Sequence, residues 1–428
     1  MKLNYNVLII IISTFFIRCG INSKDDICYN IFFKKTGNCI IILEKGDFMK
    51  IKTWYLFAFI IVLFGCSFFV INQKFDKFYR VNGINNDNRV LIEQYLNKSE
   101  QTYLIDNQIQ IDLFIRYIKD DQFQLQNYQY YNALEETNHY KTISNIVEMG
   151  NSLATRLNYL YHDDAFDYAK LLFTHNLEGA FLANDQFNFD YIEYYADMKK
   201  LYTQTDYTYI DDTHKYITKL NTLGITTEAD LKDVFSKLTS AYSKKSLQYL
   251  MNKNLKKGIN IVYNPHETTA TVDSHHYIGI YEPRSLLLTQ DIPRARYAMY
   301  LQSDAYDALL KMYNDLSDKY NGFVLKEGYL DPQSMTKKDV GYNEFQLGFS
   351  INVMKAEVAC KDFEHTDISK WLEKHAYEYG FILRYPEHKA SITNHAYDAH
   401  IYRYVGKSLA KSLHDEELTL EEYSDVGK

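Results

Sequence analysis

The order of apolar and polar positions divides the chain into regions of different texture. The longest uncharged apolar run spans Thr53 to Ile71. At about 1.5 Å per residue such a helix reaches across the ~30 Å hydrocarbon core of a bilayer, so the pattern predicts a transmembrane anchor over residues 49–72. From about 90 to 255 the chain is rich in Tyr, Leu, Asn and Lys, lacks Pro and has few Gly, which predicts a mostly α-helical region. Within it, Thr226 or Thr227 caps a helix running to Leu238, with Leu231, Val234, Phe235 and Leu238 on one face. From about Gly258 short β-like runs, turns and all five prolines follow. Ser303 is the expected cap of a helix with Tyr306, Leu309, Leu310, Tyr313 and Leu316 as its apolar face. Asp367 starts another, stopped by Gly380. Phe381–Pro386 and Ile401–Gly406 read as strands. Strands with segregated helices predict an α+β domain over 259–412, followed by an acidic tail, 413–428.

The segment ahead of the long apolar run reads as a start signal. Met49-Lys50-Ile51-Lys52 is a short basic head of the kind an export signal or signal anchor carries. Codons for Lys45-Gly46-Asp47 can encode a purine-rich ribosome-binding sequence. Met49 is therefore the expected start, with 1–48 an untranslated or misassigned leader. The earlier run Val7–Ile17 is short for a span. Leu63-Phe64-Gly65-Cys66 also has the form of a lipoprotein cleavage site. The bulk of Phe64 and the apolar residues beyond Cys66 favour an uncleaved anchor.

The helical region carries one internal duplication. Asp121-Gln122-Phe123-Gln124-Leu125, followed by Tyr130-Tyr131, matches Asp185-Gln186-Phe187-Asn188-Phe189, followed by Tyr194-Tyr195. Phe123, Tyr131, Phe187 and Tyr195 are expected to pack rather than bind ligand. No phosphate loop, metal spacing or nucleophile motif occurs there.

Composition narrows the function classes. A formal net charge of -8 argues against nucleic acid as a partner. The 40 tyrosines follow the same AT-rich codon usage as the abundant Asn, Lys and Ile. Four of the five cysteines precede residue 67, so Cys360 stands alone in the later region and no disulfide framework is expected.

Several C-terminal segments together resemble the VanY-type D-alanyl-D-alanine carboxypeptidases. Trp371 to Gly406 is similar to that family's closing segment, Gly341 to Val353 to its S-x-H-x-x-G-x-A-x-D segment, and Gly322 to Tyr329 to the approach to its S-G-Y-R turn. The resemblance covers about Ile259 to Ala410. It implies a zinc held by two His and one Asp, with a Glu as general base. Here the zinc-ligand positions carry Phe345, Asn352 and Ile401. Asp398 stands at the general-base position, and Leu330 stands where the family has a carboxylate-clamping Arg. Phe345 and Ile401 offer no donor atom, and Asn352 offers only a neutral amide oxygen. No cofactor is therefore expected, although the family uses zinc. His400 adjoins the ligand position, but a one-residue shift on a strand points to the opposite face. Phe345, Asn352 and Ile401 are expected to converge, the two apolar side chains plugging the vacated site.

Three functional readings follow. The first is a membrane-anchored, cell-wall-associated pseudoenzyme on the extracytoplasmic side of a bacterial membrane, holding peptidoglycan stem peptides with Tyr329, Asn343 and Arg403. The structural alternative for those three residues is a turn, a cap and a strand salt bridge. The second is an active metallocarboxypeptidase built on His395, Asp398 and His400. The third is a protein-interaction module working through the helical region.

Overall fold

The computed structural model describes residues 53–75, 77–78 and 81–426. The leader 1–48 and the start at Met49 lie outside the described residues. The chain divides into two compact units, Met1–Arg80 and Val81–Lys428.

In the first unit, helix α1 covers Thr53–Phe75, 23 residues. Ile60, Ile61, Val62, Phe64, Phe68, Phe69, Val70 and Ile71 are all exposed on it. Among the described residues no helix is long and apolar enough to cross a membrane, so the transmembrane expectation for 53–71 is not shown.

In the second unit, two copies of one helical motif follow each other. The first runs through a 3₁₀ turn at Leu125–Asn127, α2 (Tyr128–Glu136), α3 (Ile143–Tyr161) and α4 (Ala165–His175). The second runs through a 3₁₀ turn at Phe189–Tyr191, α5 (Ile192–Lys199), α6 (Tyr209–Thr222) and α7 (Glu228–Ala241). The duplicated sequence has one geometric cause. The Tyr131 hydroxyl accepts the Gln124 N–H at 3.2 Å, and the Tyr195 hydroxyl accepts the Asn188 N–H at 3.2 Å. Each tyrosine thereby closes the turn that precedes its own helix. Phe123 packs on Tyr131 at 5.8 Å and Phe187 on Tyr195 at 4.8 Å between ring centroids. The third helix of the second copy is capped by Thr227, which accepts the Asp230 N–H, and it buries Leu231, Val234, Phe235 and Leu238.

Among the described residues the β structure is a four-stranded antiparallel sheet and two short pairs. The sheet comprises β1 (Val324–Glu327), β2 (Ser350–Met354), β3 (Phe381–Tyr385) and β4 (Asp398–Tyr404), in spatial order β1-β2-β4-β3. β4 begins at Asp398 rather than Ile401, because Asp398 pairs with Tyr385 across an irregular register. Helix α8 (Ser303–Tyr320) buries Tyr306, Leu309, Met312 and Leu316. Its N-cap is Gln302 rather than Ser303, and no side chain caps it. Helix α9 (Asp367–His375) is capped by Thr366, and Gly380 ends the following 3₁₀ turn at a φ of +92°.

Two cores meet in this unit. Ile351, Val353, Phe381 and Tyr402 of the sheet pack with Leu309 and Met312 of α8 and with Ile368, Trp371 and Leu372 of α9. Leu347 and Phe349 belong instead to the core of the helical motifs, with Tyr242, Leu250 and Tyr281. The segment 347–353 is thus the seam between them. Residues 413–428, read from sequence as an acidic tail, include the end of α10 (Lys407–Asp415) and all of α11 (Leu420–Val426). Leu420 is fully buried against Val405, Ala410 and Leu413.

Candidate functional site

Cross-strand partners share a face of a sheet, and successive residues alternate faces. Asn352 pairs with Ile401, and Ser350 with Arg403. These four therefore share one face. The neighbouring residues Ile351, Val353 and Tyr402 point the other way, into the core against α8 and α9. The structure thus brings Asn352 and Ile401 together. Phe345 lies on the 3₁₀ turn Glu344–Leu347 that leads into β2, and it is buried. Its carbonyl accepts the Leu330 N–H at 3.2 Å, which ties the segment bearing Tyr329 to this turn. The Oδ1 of Asn352 is buried and has no hydrogen-bond partner among the described residues.

The other sequence candidates occupy structural positions. Asn343 Oδ1 accepts the Phe345 N–H at 2.9 Å and caps the turn. Tyr329 is half-buried, and burial, followed by the charges of Asp331 and Glu282, pushes its hydroxyl pKa up. Arg403 is fully buried and donates to the carbonyls of Thr268 at 3.1 Å and Ala270 at 2.9 Å. Asp398 Oδ1 accepts the His400 N–H at 2.9 Å. His400 faces away from Ile401: its ring nitrogens contact the carbonyls of Val353 at 2.6 Å and Cys360 at 3.1 Å, and it stacks on Phe363. His395 stacks on Tyr385. No group of three metal-ligating side chains is present among the described residues, so His395, Asp398 and His400 do not assemble into a site.

A buried charge network, unforeseen from the sequence, occupies the same face as Asn352 and Ile401. Glu344 is held by Arg384 Nε at 2.5 Å, by the Ser350 hydroxyl at 2.5 Å and by Arg403 at 3.4 Å. Burial pushes the Glu344 carboxyl up, but the two guanidiniums and the Ser350 hydroxyl outweigh it and hold the group below the usual carboxylate range. Burial alone lowers both guanidinium pKa values. Glu344 and Glu421 reverse this for Arg384, while Arg403, served mainly by carbonyls, stays lowered. Arg384 also donates to both oxygens of Glu421, at 2.6 and 3.1 Å. One signal of this network was readable: Glu344 sits inside the motif, and Arg384 is a lone charge in an apolar strand.

Three comparisons bear on this arrangement. The profile of the family described as VanY, D-alanyl-D-alanine carboxypeptidase, matches residues 320–407. The putative carboxypeptidase YodJ of Bacillus subtilis (strain 168) is 29% identical over 239 residues, covering 48% of this chain and 86% of its own length. Among solved structures, the LD-carboxypeptidase LdcB, described as revealing the molecular basis of peptidoglycan recognition, is 29% identical with a TM-score of 0.36, covering 40% of this chain and 92% of that one. A VanY D,D-pentapeptidase variant from a VanB-type resistance cassette, in complex with Zn(II), is 20% identical with a TM-score of 0.30, covering 36% and 98%.

The match to the VanY family over residues 320–407 corrects the expectation that no cofactor is to be sought, since zinc is the metal that this family uses. The donor set at the three aligned positions does not fit it. Phe345 and Ile401 have no donor atom, and Asn352 contributes one neutral oxygen where a catalytic zinc takes three ligands.

Proposed function

Since the C-terminal part of this chain belongs to the VanY family of D-alanyl-D-alanine carboxypeptidases, we propose that the protein is a carboxypeptidase-like, peptidoglycan-directed protein that binds stem peptides without cleaving them. The observation that carries this reading is the pairing of Asn352 with Ile401 on one face of the sheet. The register that would aim a metal ligand from β4 at one from β2 is intact, but an aliphatic side chain stands in it. Hydrolysis of a peptide bond needs a polarised carbonyl and an activated water, and Phe345, Asn352 and Ile401 supply neither. Asp398 alone is no substitute, because its carboxylate is engaged by the His400 backbone. The peptidoglycan recognition described for LdcB supports the choice of ligand. Because that polymer lies outside the cytoplasmic membrane, the reading places the bulk of the chain on the extracytoplasmic side.

The test is a paired measurement on the purified chain in zinc-supplemented buffer. Stem pentapeptide is expected to bind, with saturable affinity, and no free D-alanine is expected to accumulate. Multiple-turnover release of D-alanine would overturn the pseudoenzyme reading. The absence of any peptide binding would overturn the choice of ligand.

A further inference from the structure

The charge network contains a feature that a purely structural ion pair does not need. Glu344 engages Arg384 through Nε only, leaving both terminal nitrogens of that guanidinium to be filled from elsewhere. They are filled by the two oxygens of Glu421, in the fork geometry that a planar guanidinium offers any carboxylate. Glu421 lies on α11, beyond the residues matched by the family profile. Glu344 is the one carboxylate shared by two buried guanidiniums, Arg384 and Arg403. The second carboxylate on Arg384 is supplied by the tail. The side chain of Arg384 is 1% exposed and that of Glu421 14%, so the tail both neutralises and covers this position.

The tail is held by a short list of contacts. Leu420 is buried beside Val405, Ala410 and Leu413. Lys389 contacts both oxygens of Glu422, at 2.9 and 3.0 Å. The position it covers shares Glu344 with Ser350 and Arg403. It therefore adjoins the face that carries Asn352 and Ile401. A ligand carboxylate on Arg384 would have the rest of its peptide beside the place where the metal-binding register survives.

We propose that the two terminal nitrogens of Arg384 form a carboxylate-binding position, that Glu421 of the chain's own tail fills it, and that a peptide ending in a free carboxylate takes this position when α11 leaves. This deepens, and rests on, the peptide-binding reading above. The tail then competes with the ligand, and its departure is the step that admits the peptide.

The experiment measures D-Ala-D-Ala and its C-terminal amide against the full chain by calorimetry, with the wild type and Glu421→Gln side by side. A second variant, Leu420→Ser, loosens α11 without touching the charges and is read if Glu421→Gln does not fold. The variant is expected to bind D-Ala-D-Ala at least tenfold more tightly than the wild type, and the amide is expected to lose that gain. Equal affinity of wild type and variant overturns the competition while leaving the peptide-binding reading in place. No binding to either protein overturns both.

Discussion

Replacing Glu344 by Gln tests the buried network at its centre. The substitution keeps the size of the side chain and its capacity to accept a hydrogen bond, and it removes the only carboxylate that Arg384 and Arg403 share. At an effective dielectric near 20, a contact at ~3–4 Å is worth about 4–5 kcal/mol before desolvation. Desolvation has already been incurred by all three groups, since Glu344 and Arg403 are almost fully buried and Arg384 is 2% exposed. Removing one partner of such a buried set costs about 3–5 kcal/mol because the remaining charge stays buried. Urea unfolding of the full chain is the assay, with the midpoint falling and the slope unchanged. The pH profile adds a second readout. The Glu344 carboxyl is depressed in the folded state. Its stabilisation is therefore present above the unfolded carboxylate pKa and is lost as pH falls through the lower folded value. The wild type should lose stability in that acid window, and Glu344→Gln should lose less. A destabilisation below about 1 kcal/mol with an unchanged acid limb would refute the reasoning, since it would mean that the two guanidiniums do not depend on Glu344.

Other outcomes follow from separate parts of the fold. Burial pushes the Glu178 carboxyl up to about 7, so the folded chain holds a proton that the unfolded chain releases between about pH 4.5 and 7. Stability should fall by roughly 3 kcal/mol over that window as pH rises, and Glu178→Gln should flatten this limb in urea titrations at stepped pH. Tyr131→Phe and Tyr195→Phe each remove the hydroxyl that closes a motif's turn. Each should cost about 1–2 kcal/mol in urea unfolding, and a strongly unequal pair would argue against equivalent motifs. Gly341 has a φ of +87°, and a Cβ there would run into the Tyr277 ring. Gly341→Ala should cost at least ~2 kcal/mol by thermal unfolding. Phe345→His, Asn352→Asp and Ile401→His combined should create stoichiometric zinc binding, read by metal analysis after dialysis, if the three positions share a site.

Much of the secondary structure was readable because it depends on local pattern. The Thr227 cap and the Leu231–Leu238 face needed only neighbouring residues, and the two strands in the closing segment showed as short apolar runs after a helix stop. The motif duplication was visible as sequence similarity, but its cause, a tyrosine hydroxyl on its own upstream turn, required the fold. The cap of α8 was misplaced by one residue because Ser303 is a good capping residue that the structure uses inside the helix. The pairing of Asn352 with Ile401 followed from the family resemblance. The charge network did not, because Glu344 meets Arg384 and Arg403, and Arg384 meets Glu421, only when the turn before β2, the strands β3 and β4 and the tail come together, and no local spacing encodes that meeting.

The seam at residues 347–353 has a mechanical consequence. Leu347 and Phe349 are gripped by the core of the helical motifs, while Ile351 and Val353 are gripped by the sheet. A pull on the helices would reach β2 as shear along this short segment, within a few residues of Phe345 and Asn352. Strain on the helices would be felt first at the segment that carries Phe345 and Asn352.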